Sequence, residues 1–133
     1  MIQAMIFVLI ALLAACSSSP SKTADSLPEQ LAGGLARQQV SEIPAGEVPE
    51  IVRNLGYRAG QRTLYTGPRE VAVTLYEMSN TSGAFELAQK WKPEPGRLYF
   101  HQGTYFVVLE SAAAEQKELN AMAGELEKAL SGK

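Results

Sequence analysis

Four kinds of side chain in this 133-residue sequence could do chemistry, and their surroundings decide which of them can. The single cysteine, Cys16, follows Leu13-Ala14-Ala15 at the end of an apolar run and precedes Ser17-Ser18-Ser19. A thiolate at that place is a nucleophile, and the small residues before it let an enzyme reach the backbone. The single histidine, His101, stands beside Gln102-Gly103, so a histidine-rich metal centre is excluded and no metal is expected. Ser79, Ser82 and Thr104 carry hydroxyls, but neither a G-x-S-x-G elbow nor an S-x-x-K pairing surrounds them. Glu77, Glu86, Glu94 and Glu110 could supply the paired carboxylates that glycoside hydrolysis uses, although their spacing alone brings no two together. The glycines form neither a phosphate-binding loop nor a dinucleotide fingerprint, and no cofactor is expected.

Charge offers a weaker signal. The chain has a net charge of −2, which gives no overall basic field for nucleic acid. Residues 51–101 nevertheless hold seven basic side chains against four acidic ones, while the flanking segments are acidic. If Arg58, Arg62 and Arg69 share one sheet face, they could meet an acidic protein partner, anionic headgroups or glycans. The simpler alternative is that they pair with the protein's own acidic helices.

These residues must be held by elements that the sequence outlines. The segment "SSSPSKTADS" (17–26) is small, polar and broken by proline, and reads as a flexible tether. "LAGGLARQQVSEIP" suggests a turn at Gly33-Gly34 and a short extended piece, and "GEVPEIVRNLG" a short helix with Gly56 just past its end. "YRAGQRTLYTG" and "REVAVTLYEMS" read as strands joined at Gly67-Pro68, with Val71, Val73 and Leu75 on one face. "NTSGAFELAQKW" is a helix capped by Asn80, Thr81 or Ser82, with a stripe at Ala84, Leu87, Ala88 and Trp91. "RLYFHQGTYFVVLE" is a second hairpin about Gln102-Gly103, and "TYFVVL", apolar on both faces, belongs inside the sheet. A final helix from about Ala112 carries Leu119, Met122, Ala123, Leu126 and Leu130. The order α-β-β-α-β-β-α predicts an α+β two-layer sandwich: a mainly antiparallel sheet of about four strands with helices on one face.

Two resemblances add to this. Leu13-Ala14-Ala15-Cys16 resembles the lipobox of bacterial lipoproteins. The apolar stretch Ala4–Ala15 would span about 18 Å as a helix, short for a bilayer core of about 30 Å but suited to a signal peptide. The resemblance implies that residues 1–15 are a signal peptide recognised through Leu13, Ala14 and Ala15. It further implies that Cys16 receives a diacylglyceryl thioether and, after cleavage, an acyl chain such as palmitate on its amino group. Residues 16–28 would then be the lipidated cysteine and tether, and 29–133 one α+β domain. Ser17, where an aspartate would favour the inner membrane in enterobacterial-type sorting, implies the outer membrane. Secondly, "LPEQLAGGL", "LGYRAGQRTLY", "VAVTLYEMSNTSGAFELAQKW" and "LYFHQGTYFVV" together resemble a family of uncharacterised exported bacterial proteins, which implies an exported domain and transfers no activity. The expectation is a membrane-anchored envelope lipoprotein, non-catalytic, binding an envelope protein or component. The alternatives are an envelope enzyme acting on glycans through paired carboxylates, or a small-ligand carrier with a cavity between sheet and helices.

Overall fold

The computed structural model describes residues 27–132. The expected signal peptide, Leu13 to Cys16 and nearly all of the expected tether lie outside the described residues. The described chain runs β1 (Gln30–Leu31), β2 (Leu35–Glu42), a 3-10 turn (Ala45–Glu47), α1 (Glu50–Asn54), β3 (Tyr57–Thr66), β4 (Val71–Met78), α2 (Thr81–Lys90), β5 (Arg97–Gln102), β6 (Tyr105–Glu110) and α3 (Gln116–Ser131). The strands form a single sheet in the order β1-β2-β3-β4-β6-β5, and every neighbouring pair is antiparallel.

The α+β class is as expected; the strand number is not. Six strands replace about four, because "LAGGLARQQVSE" folds back on itself to make β1 and β2. Gly33 and Gly34 both adopt positive φ, +85° and +76°, the conformation that makes this tight reversal accessible. Both hairpins expected from sequence are present, and Gly103, at φ +59°, turns the second one. The last helix starts at Gln116 rather than near Ala112. Ser111 explains the delay: its hydroxyl accepts from the Ala114 amide at 3.0 Å and donates to the Glu70 carbonyl at 2.7 Å, holding the intervening residues in a turn.

The placement of the helices is also corrected. Successive residues of a strand point to opposite sides of its sheet. Val107 and Leu109 of β6, with Val71, Val73 and Leu75 of β4, pack beneath Leu119, Met122, Leu126 and Leu130 of α3. Their neighbours Phe106 and Val108, with Tyr76 and Met78, pack with Val52 of α1 and Ala84 and Leu87 of α2. Helices therefore cover both faces, where one covered face was expected. On its own face α3 reaches both margins of the sheet. Glu125 accepts from the Ala32 amide beside β1 at 2.7 Å, while Leu98 and Phe100 of β5, at the far edge, pack into the same cluster. Six strands spaced about 4.8 Å apart can meet one helix from both edges only by curling, and the sheet wraps α3.

Two details of this packing run against simple expectation. Gln61 and Thr63 point to the α3 face, level with Leu75 and Val73, and are 1% and 0% exposed, yet Gln61 Nε2 and Oε1 and Thr63 Oγ1 have no hydrogen-bond partner. Gly83, in the first turn of α2, lies so close to α1 that an added Cβ would stand 2.3 Å from the Leu55 carbonyl oxygen. Thr63→Val should raise stability by about 1 kcal/mol in urea titration, since an unsatisfied hydroxyl is removed with little change of shape; a loss of similar size would mean that the hydroxyl is bonded. Gly83→Ala, which in an open helix would gain about 1 kcal/mol, should instead cost about 1–3 kcal/mol here, read by the same titration.

Candidate functional site

The carboxylates singled out in the sequence separate into three places. Glu94 and Glu110 are brought together by Arg97. Its Nη1 lies 2.8 Å from Glu94 Oε2, and its Nε donates to Glu110 Oε1 across the β5–β6 pair, where Arg97 and Glu110 are direct register partners. Strand pairing and the Pro93–Gly96 turn thus place a guanidinium between the two acids. Arg97 and Glu110 line an open cleft of about 500 Å3 whose floor includes Leu64 and Ala72. Those floor residues lie on the sheet face opposite α3, in the same register row as Glu110. Glu77 pairs with Arg58 at 3.9 Å, and Glu86 lies exposed on α2. Both acids spend an oxygen on the same arginine, so the pair does not face an open space across which a glycosidic bond could lie.

The three arginines do not form one patch. Arg58 is paired with Glu77, and Arg69 donates to Glu118 of α3 beside a crevice of about 110 Å3 under the β1–β2 turn. Arg62 makes no ion pair among the described residues and points away from α3, in the row of Thr74 and Val108. Two of the three basic groups thus meet the protein's own acids.

His101 stands edge-on to the ring of Phe85, with centroids 5.6 Å apart. Together with Thr81, Ser82 and Gly103 they line an open depression of about 400 Å3. The sequence reading passed over Phe85, one of two large apolar side chains exposed among the described residues, at 49%. A signal was available: Phe85 falls outside the α2 stripe of Ala84, Leu87 and Ala88 and so had to face away from the core. Of the hydroxyls, Ser79 donates to the Gly56 carbonyl and Ser82 lies at this depression. Of the three cap candidates Asn80, Thr81 and Ser82, it is Asn80 that caps α2, accepting from the Gly83 amide at 2.8 Å. Among the described residues, no group of three or more His, Cys, Asp or Glu could hold a metal ion, and no helix is long and apolar enough to cross a membrane.

The place where the chain enters the domain is built more firmly than any of these clefts. The Tyr65 hydroxyl, on the α3 face of β3, donates to the Pro28 carbonyl at 2.7 Å, and Arg37 Nη1 donates to the Leu27 carbonyl at 2.9 Å. Leu27 and Leu31 are buried in the α3 cluster. Burial pushes the Tyr65 hydroxyl up to about 12, with the Arg37 guanidinium pulling in the opposite direction. Burial also raises Tyr76, and Arg62 opposes it.

No protein-family model, curated protein or solved structure matches the chain.

The raised Tyr65 value sets a pH dependence. Because the folded hydroxyl ionises later than the unfolded one, its contribution is complete below pH 10 and is lost as pH rises toward 12. Tyr65→Phe should cost about 1–2 kcal/mol at neutral pH by leaving the Pro28 carbonyl unpaired. It should also visibly shallow the fall in stability between pH 10 and 12 in chemical denaturation, and an unchanged alkaline slope would contradict this account.

Proposed function

We propose that the chain is a cell-envelope lipoprotein, anchored through a lipidated Cys16, whose α+β domain is a non-catalytic binding or accessory module. The observation that carries this reading is the unique cysteine directly after Leu13-Ala14-Ala15, behind an apolar run too short to span a bilayer as a helix and ahead of a polar tether. Ser17 favours the outer membrane over the inner, with the domain facing the periplasm. Acyl chains worth about 0.8 kcal/mol per buried methylene would hold it there.

The surface chemistry agrees with binding rather than catalysis. Glu94 and Glu110 share Arg97, which weakens the alternative of a glycan-cleaving carboxylate pair. His101 contacts a phenyl ring. The envelope protein partner of this reading would meet the exposed part of the domain near Arg62, since Arg58 is paired with Glu77 and Arg69 is engaged by Glu118.

Cys16→Ser tests the anchor. Expressed in bacteria fed labelled palmitate, the wild type should take up label and sediment with membranes, while the variant should lose both. A variant that still fractionates with membranes and carries label would overturn the lipoprotein reading.

A further inference from the structure

The two margins of the sheet are not alike. At one, α2 and α3 both contact β5, and they approach from opposite faces because they belong to opposite clusters. At the other, β1 covers only Leu35 and Ala36 of β2, and the Arg37 amide is taken by the Glu29 carbonyl. From Gln39 to Glu42, β2 pairs with β3 on one side, Gln38 is the bulged residue before them, and from Gln38 to Glu42 no strand among the described residues lies on the other side. All five of these residues are exposed.

Which backbone groups remain open follows from the ladder. The Ile43 amide donates to the Gly60 carbonyl, so Ile43 bonds inward. By the alternation of an antiparallel pair, Ser41 and Gln39 do likewise, and Val40 and Glu42 turn their N–H and C=O groups outward. Val40 is also the second large apolar side chain left exposed, at 38%. Edge strands are commonly protected by lysine, proline or inward charge. The stretch Gln38-Gln39-Val40-Ser41 has none of these.

We propose that this edge pairs with a second copy of itself, joining two sheets by an antiparallel β2–β2 contact about a two-fold axis at Val40. The sequence is complementary in that register. Val40 meets Val40, Gln39 meets Ser41, and Glu42, the only charge in the stretch, meets Gln38 rather than another Glu42. A parallel pairing in register would set the two Glu42 carboxylates side by side, so charge selects the antiparallel form. The contact closes on itself and leaves β5, flanked by its helices, at both outer edges, so it gives a dimer and not a filament. The bulge between Arg37 and Gln39 and the Pro44 that follows the strand limit the ladder to five residues per chain. The association is accordingly weak and concentration-dependent. It requires no lipid on Cys16, so its failure and that of the anchor reading are separate results.

The test uses the full chain purified in detergent. Sedimentation velocity across a concentration series should show the protein mass doubling, and Val40→Lys, which sets two ammonium groups face to face, should abolish the doubling while circular dichroism stays unchanged. Val40→Cys treated with a short bismaleimide should give crosslinked dimer, whereas Gln102→Cys on β5 should give little. A monomer at every concentration, a dimer that survives Val40→Lys, or crosslinking that favours Gln102→Cys would each overturn the proposal. So would co-purification of a different protein seated on β2 in place of the second copy.

Discussion

Burial of both faces of the β4–β6 pair is the constraint on which the rest depends. Phe106, Val107, Val108 and Leu109 are four consecutive buried residues, and a strand sends them alternately to its two sides. A single covering layer could satisfy only half of them. The α3 helix shields one side; α1, α2 and the aromatic group of Tyr76, Trp91 and Phe106 shield the other. Once β6 lies inside, β5 becomes an edge and the N-terminal strands are pushed to the opposite margin, where they curl over to meet α3.

The sequence made some of this legible and hid the rest for physical reasons. Hairpins announced by Gly67-Pro68 and Gln102-Gly103, the cap at Asn80 and the stripe of α3 are local features, and each sits where its residues indicate. The four apolar residues of β6 announce an interior strand, and a strand apolar on both faces requires cover on both, which a single helical layer does not give. The β1–β2 turn was obscured because paired glycines argue equally against a helix and for a reversal. Ser111 delayed α3 through a hydroxyl bonded to Glu70, forty-one residues away in sequence, which no local pattern encodes. Of the site residues, the fate of the arginines depended on partners such as Glu118 that only the tertiary fold brings within reach.

The distribution of charge follows the same logic. The basic middle is joined to an acidic flank by Arg69 with Glu118, while Arg37 with Glu29 pairs two residues of the N-terminal flank. Such exposed or half-exposed pairs add little to stability. Among the described residues, Val40 and Phe85, the latter against His101, are the large apolar side chains left exposed beside these pairs.

The hydrogen bonds at the chain's entry have a mechanical meaning. A pull arriving from the N-terminal side reaches the domain at Leu27 and Pro28, and there it meets Tyr65 and Arg37. Tyr65 belongs to β3, an interior strand, so load passes by way of its hydroxyl straight into the middle of the sheet. The two-residue strand β1 is spared from being peeled away first. The first described residues are thus tied to β2 and β3 as well as to β1.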